Sequence, residues 1–167
     1  ILLPCAANKL SIPFIGSGGF GDARGLVAAL ALGADGINMG SRFMATQEAP
    51  IHNNVKQAMV DADELNTQLM NRTLRNTSRV FKNEVAGQVV AVEREKGADL
   101  TIEDLAPYLS GQRGKVVFED GDVDHGVWSA GMVVGLINDI PTCAELVSRI
   151  VGEAEEIIAN RLASFAA

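Results

Sequence analysis

The sequence has little of what would tie it to a covalent framework, a nucleic acid or a bilayer. Cys5 and Cys143 are its only cysteines, too few for a disulfide framework or a structural zinc site and without the close spacing of a redox pair. A reducing, cytoplasmic setting fits that usage. Positive charge is also scarce: 14 Lys and Arg stand against 21 Asp and Glu, for a net charge of −7. Such a field repels phosphate backbones and anionic membranes, which argues against both as partners. No apolar run approaches the roughly 20 residues that span a bilayer. No charged start followed by a short apolar segment and a cleavage site appears. The partners left are a small-molecule substrate or another protein, a second copy in a homo-oligomer included.

What is present suffices for one domain, since 47% of the 167 residues are apolar and 21% charged. The chain opens on Ile1 rather than Met, and ILLPCAANKL (1–10) reads as a helix or approach segment already in progress. The expectation is a fragment of a longer protein.

The most informative stretch is IPFIGSGGFGDARGLVAALALGADGINMGSRF, Ile12 to Phe43. Ile12 to Ile15 is a short apolar run ended by Gly16, Ser17, Gly18 and Gly19, the pattern of a fully buried parallel strand. Asp22 is placed to cap a helix with Leu26, Val27, Leu30 and Ala31 on its apolar face, and Gly33 to end it in the left-handed conformation. Gly36 to Met39 reads as a second strand, stopping at Gly40. Strand, turn, helix, strand and turn in roughly 30 residues make a βαβ unit with parallel pairing.

Downstream the pattern becomes mainly helical. Helices are expected over Ile51 to Leu69, 84 to 97 and 101 to 110, with the basic segment RTLRNTSRVFKN (72–83) as strand or loop. Gly111 to Gly135 is expected to be irregular. A last helix starts at Pro141 and Thr142 with a Thr-x-x-Glu capping box to Glu145, and its buried stripe is read as Val147, Ile150, Ala154, Ile157 and Ile158. A boundary near Thr46 divides α/β character (1–46) from the helical remainder (47–167).

Glycines directly after a strand let the backbone take positive φ and let a ligand approach without a Cβ in the way. Their N–H groups form a concave anion site at the start of the following helix. Two such turns on neighbouring parallel strands could hold one phosphate from two sides, as at the last two strands of a (β/α)8 barrel. Tight turns with no ligand are the other reading. A dinucleotide fingerprint is formally matched by Gly16, Gly18 and Gly21, but Asp35 comes too early and in the wrong place for a ribose-binding acid. GQRGK (111–115) is not a Walker loop, because its glycine spacing is too short.

These residues resemble the FMN-dependent nitronate monooxygenases, formerly 2-nitropropane dioxygenases, and their NADH:quinone reductase relatives. IPFIGSGGFGDARGLVAALALGADGINMGSRFMATQEAPIH looks like the family's strand 7 to the start of helix 8. RTLRNTSRVFKN and GQRGKVVFEDGDVDHGVWSAGMVVGLI look more like the quinone-reductase branch. Enoyl-acyl-carrier-protein reductase II is similar in its own glycine turns. The resemblance implies the C-terminal part of an FMN-binding (β/α)8 TIM barrel with a helical extension. It implies FMN phosphate on Ser17, Gly18 and Gly19 in the first turn and Gly40 with Ser41 in the second. It further implies oxidation of NAD(P)H with a quinone acceptor, or of alkyl nitronates with O2. The alternatives are a reductase II-like flavoenzyme or a non-catalytic scaffold remnant. Complete family members are about twice as long, and their catalytic histidine precedes the point where this chain starts, so the catalytic residues here are unknown.

Other residues carry less. His52, after Pro50, reads as a helix cap, and His125, in the glycine-rich segment, as a residue that could turn towards the barrel mouth. Asp120, Asp122 and Asp124 alternate like the start of a calcium loop, but its sixth and twelfth positions would be His125 and Gly131, so an acidic turn is expected and no metal. Arg72, Arg75, Arg79 and Lys82 are expected to form structural salt bridges, with a cofactor's phosphate as the other option. Ser129 has no partner that would make it a nucleophile. Trp128 and Met132 would line a flat apolar site for a quinone or pack in the core.

Overall fold

The computed structural model describes residues 1–166. The chain is α/β, with one parallel and one antiparallel pair of strands. Helix α1 (Leu2–Lys9) leads to β1 (Ile15–Ser17), α2 (Ala23–Ala31) and β2 (Gly36–Asn38). β1 and β2 pair in parallel with Ser17 opposite Asn38, so α2 is the crossover of the expected βαβ unit. Its boundaries follow local chemistry. The Gly25 N–H donates to Asp22 Oδ1 at 2.8 Å, and Gly33 beyond the helix has φ +95°. A Cβ on Gly33 would lie 2.5 Å from Ala7 Cβ, so α1 also requires glycine there.

The first strand is not the fully buried element its composition suggests. The strand starts only at Ile15 and takes in Gly16 and Ser17. Ile15 is 65% exposed, because β1 has only β2 beside it, and Ile12, before the strand, is 67% exposed. On α2 the buried residues are Ala23, Val27 and Ala29, whereas Leu30 and Ala31 of the expected face are open to solvent.

After β2 come a one-turn α3 (Ser41–Met44), α4 (Asn53–Val60) and an antiparallel hairpin of β3 (Thr67–Met70) and β4 (Ser78–Phe81). The helix expected over Ile51 to Leu69 therefore ends early. Asp63 accepts from the Leu65 N–H and Asn66 Oδ1 accepts from the Asp63 N–H, both at 2.8 Å, and this turn redirects the chain into β3. Within α4, Val55 and Met59 are fully buried, as their spacing requires. Next are α5 (Glu84–Lys96), α6 (Ile102–Leu105) and α7 (Gly111–Asp120).

Helix α7 corrects the reading of Gly111 to Gly135 as irregular. Gly111 and Gly114 occupy its first turns, Val117 is fully buried, and Gly121 ends it at φ +77°. A 3-10 segment at Met132–Leu136 and α8 (Cys143–Glu156) complete the order, followed by a π-helical turn at Ile157–Leu162 and a 3-10 turn at Ala163–Phe165. Thr142 and Glu145 form the reciprocal capping box. The buried stripe of α8 is Leu146, Ile150 and Ala154; Ile150 and Ala154 are as expected, whereas Val147 and Ile158 stay exposed.

The apolar interior falls into three clusters. The central one joins α4, α7 and the 3-10 segment through Val55, Met59, Val117, Trp128, Val134 and Ile137. A second lies between the hairpin, α5 and α6, around Val80, Val89 and Leu105. The third fixes α8 on α2 through Ala154, Ala23 and Val27. No described helix is long and apolar enough to cross a membrane.

Candidate functional site

Because Ser17 is level with Asn38, the chain leaves both parallel strands at the same height, about 4.8 Å apart. One exit is Gly18–Gly19 and the other Gly40–Ser41. Gly18 and Gly19 have φ +99° and +78°, a backbone that side chains with a Cβ adopt only with strain. A Cβ built on Gly18, Gly19 or Gly40 meets nothing within 4 Å. The glycines at these three positions therefore leave open space rather than relieve an internal clash.

Two hydroxyls flank that space. Ser17 Oγ accepts from Asn38 Nδ2 at 3.1 Å. Ser41 Oγ accepts from the Gly131 N–H at 2.9 Å. Each serine is thus fixed as an acceptor and keeps its own O–H for a further acceptor. Together with the turn N–H groups, this set of donors suits an anion.

The segment after Trp128 holds the second turn in place. A Cβ on Gly21 would come within 2.4 Å of Val133 Cγ2, so here glycine is demanded by close packing. Arg42, directly after Ser41, is fully buried. Its Nη2 donates to Asp139 Oδ1 at 2.8 Å and its Nη1 to the Asp139 carbonyl at 3.2 Å. Arg149 holds the same carboxylate from α8, with Nη1 at 2.6 Å from Oδ2. Burial lowers the Arg42 guanidinium from its ordinary value, with Asp139 opposing that effect. The hydrogen bond from Arg149, and then the charge of Arg42, hold the Asp139 carboxyl below the usual range despite its partial burial. These charges line a cleft of about 360 Å³ beside Gly21 and Asp22. Sequence reading did not find this triad, because Arg42 and Asp139 are 97 residues apart. The only local hint is an arginine placed directly after a glycine turn.

The remaining sequence candidates lie elsewhere. His52 caps α4, its Nδ1 accepting from the Asn54 N–H at 3.1 Å. His125 is exposed, 3.6 Å from Asp122, in a cleft with Glu84, Gln88 and Arg113 that includes none of the turn residues. Asp122 and Asp124 accept backbone N–H bonds from Asp124 and Glu84. Trp128 belongs to the core: it is 2% exposed, stacks on Phe81 at 4.3 Å and donates to the Val123 carbonyl. Met132 is half exposed, and its neighbour Gly131 is the residue bonded to Ser41. Contrary to expectation, none of Arg72, Arg75, Arg79 and Lys82 forms an ion pair among the described residues. The hairpin geometry turns Arg79 instead onto Thr67 Oγ1, at 2.9 Å.

The family pattern of the nitronate monooxygenases matches residues 1–153. The chain belongs to the nitronate monooxygenase family. A Rhodococcus jostii relative named (3aS,4S,5R,7aS)-5-hydroxy-7a-methyl-1-oxo-octahydro-1H-indene-4-carboxyl-CoA dehydrogenase is 33% identical over 187 aligned positions, covering 92% of this chain and 53% of that protein. A Bacillus subtilis protein named "Probable nitronate monooxygenase" is 46% identical over 68 residues, covering 41% of this chain and 20% of its own length. Among solved structures, FabK from Thermotoga maritima superposes with a TM-score of 0.88 at 27% identity, over 99% of this chain and 51% of that one. Nitroalkane oxidase from Streptomyces ansochromogenes shares the fold, with a TM-score of 0.70 at 23% identity over 95% of this chain and 44% of its own. The chain spans about half the length of the curated relatives that match most of it.

Proposed function

We propose that this member of the nitronate monooxygenase family is part of an FMN-dependent oxidoreductase, and that the chain supplies the phosphate end of the flavin site. The observation that carries this reading is the pair of level turns. Gly18, Gly19 and Gly40 leave open backbone, and Ser17 and Ser41 keep their hydroxyl protons free beside it. A phosphate dianion held there would accept charge-assisted hydrogen bonds from both turns. On this reading β1 and β2 are the last two strands of a (β/α)8 barrel, residues 1–46 supply its final βα units, and residues 47–167 the closing helix and an extension. The exposure of Ile15 in β1 fits, since strands of parallel sheets are ordinarily covered on both faces.

FMN, when bound, would take up a hydride or electrons from one substrate and pass them to another. The residues of this chain do the positioning. The two turns would hold the phosphate, and Gly131 would hold the Ser41 oxygen as an acceptor while its proton stays available. Val133 packed on Gly21 and Asp139 between Arg42 and Arg149 would keep the segment after Trp128 against the turns. The leading substrates are NAD(P)H with a quinone acceptor, or a nitronate with O2. The second reading is reduction or oxidation of an acyl thioester. It is favoured by the carboxyl-CoA dehydrogenase that matches 92% of the chain.

Mixing the FMN-loaded protein anaerobically with NADH, a nitronate or an acyl-CoA, and following the visible flavin absorbance, separates these activities. Bleaching by NADH alone supports the reductase, and bleaching by the nitronate alone the monooxygenase. Absence of bound flavin after reconstitution contradicts the proposal.

A further inference from the structure

The β3–β4 hairpin and α5 enclose a second cleft, of about 460 Å³, that the flavin reading does not use. Three arginines reach it from different elements: Arg72 from the loop after β3, Arg79 from β4 and Arg94 from the last turn of α5. None pairs with a carboxylate among the described residues, in a protein with 21 acidic side chains to 14 basic ones. Glu93 is the one carboxylate in the lining against three guanidinium groups, so the cleft is net positive and favours an anion.

The cleft is also built. Arg79 is oriented by its bond to Thr67 Oγ1. Asn71, at φ +58°, starts the loop that carries Arg72, and its N–H donates to Glu93 Oε2 at 2.9 Å. Glu93, which lines the cleft, is only 8% exposed, and its Oε1 has no partner. A carboxylate oxygen only accepts, so Glu93 Oε1 would take the amino group of a base and not a phosphate, whereas Gln68 Nε2, also buried in the lining without a partner, is a donor. Leu69 and Val90 add apolar wall beside the guanidinium groups, which suits a flat base better than a bare ion. The size lies within the usual range for small-molecule pockets.

We propose that this cleft binds the phosphomonoester end of an adenine nucleotide. The phosphate meets Arg72, Arg79 and Arg94, and the base lies against Leu69 and Val90. Two carriers share that chemistry, coenzyme A with a 3′-phosphate and a nicotinamide dinucleotide with a 2′-phosphate. The inference stands on the hairpin and α5 alone, so it survives or fails independently of the flavin site.

The test is calorimetric titration of the protein with adenosine 3′,5′-bisphosphate and adenosine 2′,5′-bisphosphate, with 5′-AMP and inorganic phosphate as controls. One bisphosphate should bind at least tenfold more tightly than either control. Arg72→Gln and Arg94→Gln should each weaken it by roughly tenfold, the size expected for losing one charged hydrogen bond, with bound FMN unchanged. Preference for the 3′ isomer assigns a coenzyme A carrier, and preference for the 2′ isomer a dinucleotide. Chemical-shift changes on titration should fall on residues 67–79 and α5, which provides a readout that needs no variant. Bisphosphates that bind no better than inorganic phosphate, or affinity untouched by both substitutions, would overturn the proposal.

Discussion

The Gly131 N–H donates to Ser41 Oγ at 2.9 Å, joining two residues 90 positions apart. Through this bond the segment after Trp128 is attached to the second glycine turn, and the serine oxygen is held as an acceptor while its proton stays available. Ser41→Ala should leave the Gly131 N–H without that acceptor and cost about 1–2 kcal/mol of stability. It should also weaken FMN binding, whereas Ser41→Thr retains both. Chemical denaturation and flavin titration of the two variants check the pair of effects.

Four glycines near the site should respond differently to alanine. At Gly18 and Gly19 the positive φ predicts a loss of about 1–2 kcal/mol each from backbone strain alone. At Gly21 the new Cβ would meet Val133, which is nearly buried and has little room to move, so overpacking of about 1–3 kcal/mol is expected. Gly40 has neither constraint, and Gly40→Ala should be close to neutral for folding while still reducing flavin affinity. Thermal melts across the four variants test the ranking.

Acid should act through Asp139. Its carboxyl is held below the ordinary range by Arg149 and then Arg42, so its stabilising contribution is present above the unfolded value of about 3.9 and is lost as pH falls through the lower folded value. Asp139→Asn should therefore flatten the acid limb of the stability profile below about pH 4. Near neutral pH it should cost about 2–3 kcal/mol, because Arg42 stays buried without its counter-charge. That figure is reduced from the fully buried case because the Asp139 side chain is 37% exposed. Denaturation midpoints measured from acid to neutral pH provide the comparison.

How much of this was legible in the sequence depended on distance along the chain. Asp22, Gly33 and the Thr142–Glu145 box act within one helical turn, and each performs its expected role. The end of α4 at Val60 was missed because Asp63 and Asn66 stop the helix through side-chain bonds that apolar spacing does not register. Helix α7 was hidden by Gly111 and Gly114, whose low helix propensity is overridden by packing of Val117 into the central cluster. On α8 the expected Ile150 and Ala154 are buried and Ile157 packs against α2. Leu146, however, takes the inward place read for Val147, a choice between neighbouring apolar residues that spacing alone does not make. The two turns were visible as local glycine patterns. The Arg42–Asp139–Arg149 triad and the Gly131–Ser41 bond were not, since both depend on how the C-terminal half folds back.

Lys96 offers a local check on the structure away from the flavin. Its bond to Asp104, with the Thr101 N–H contributing next, brings the Asp104 carboxyl down to about 2. Lys96→Ala should return that carboxyl towards the ordinary aspartate value, while the Thr101 capping bond persists. Carbon-detected NMR titration of Asp104 in both proteins measures the change.

The central claim is that the two turns hold a phosphate, and the most direct measurement compares FMN with riboflavin, which has the same ring and no phosphate. Flavin fluorescence titrations of the wild-type protein should give at least a hundredfold tighter binding of FMN, the equivalent of roughly 3 kcal/mol from the phosphate contacts. The double substitution Ser17→Ala, Ser41→Ala should remove most of that difference. Equal affinity for FMN and riboflavin, or a preference for FMN unchanged in the double variant, would contradict the account.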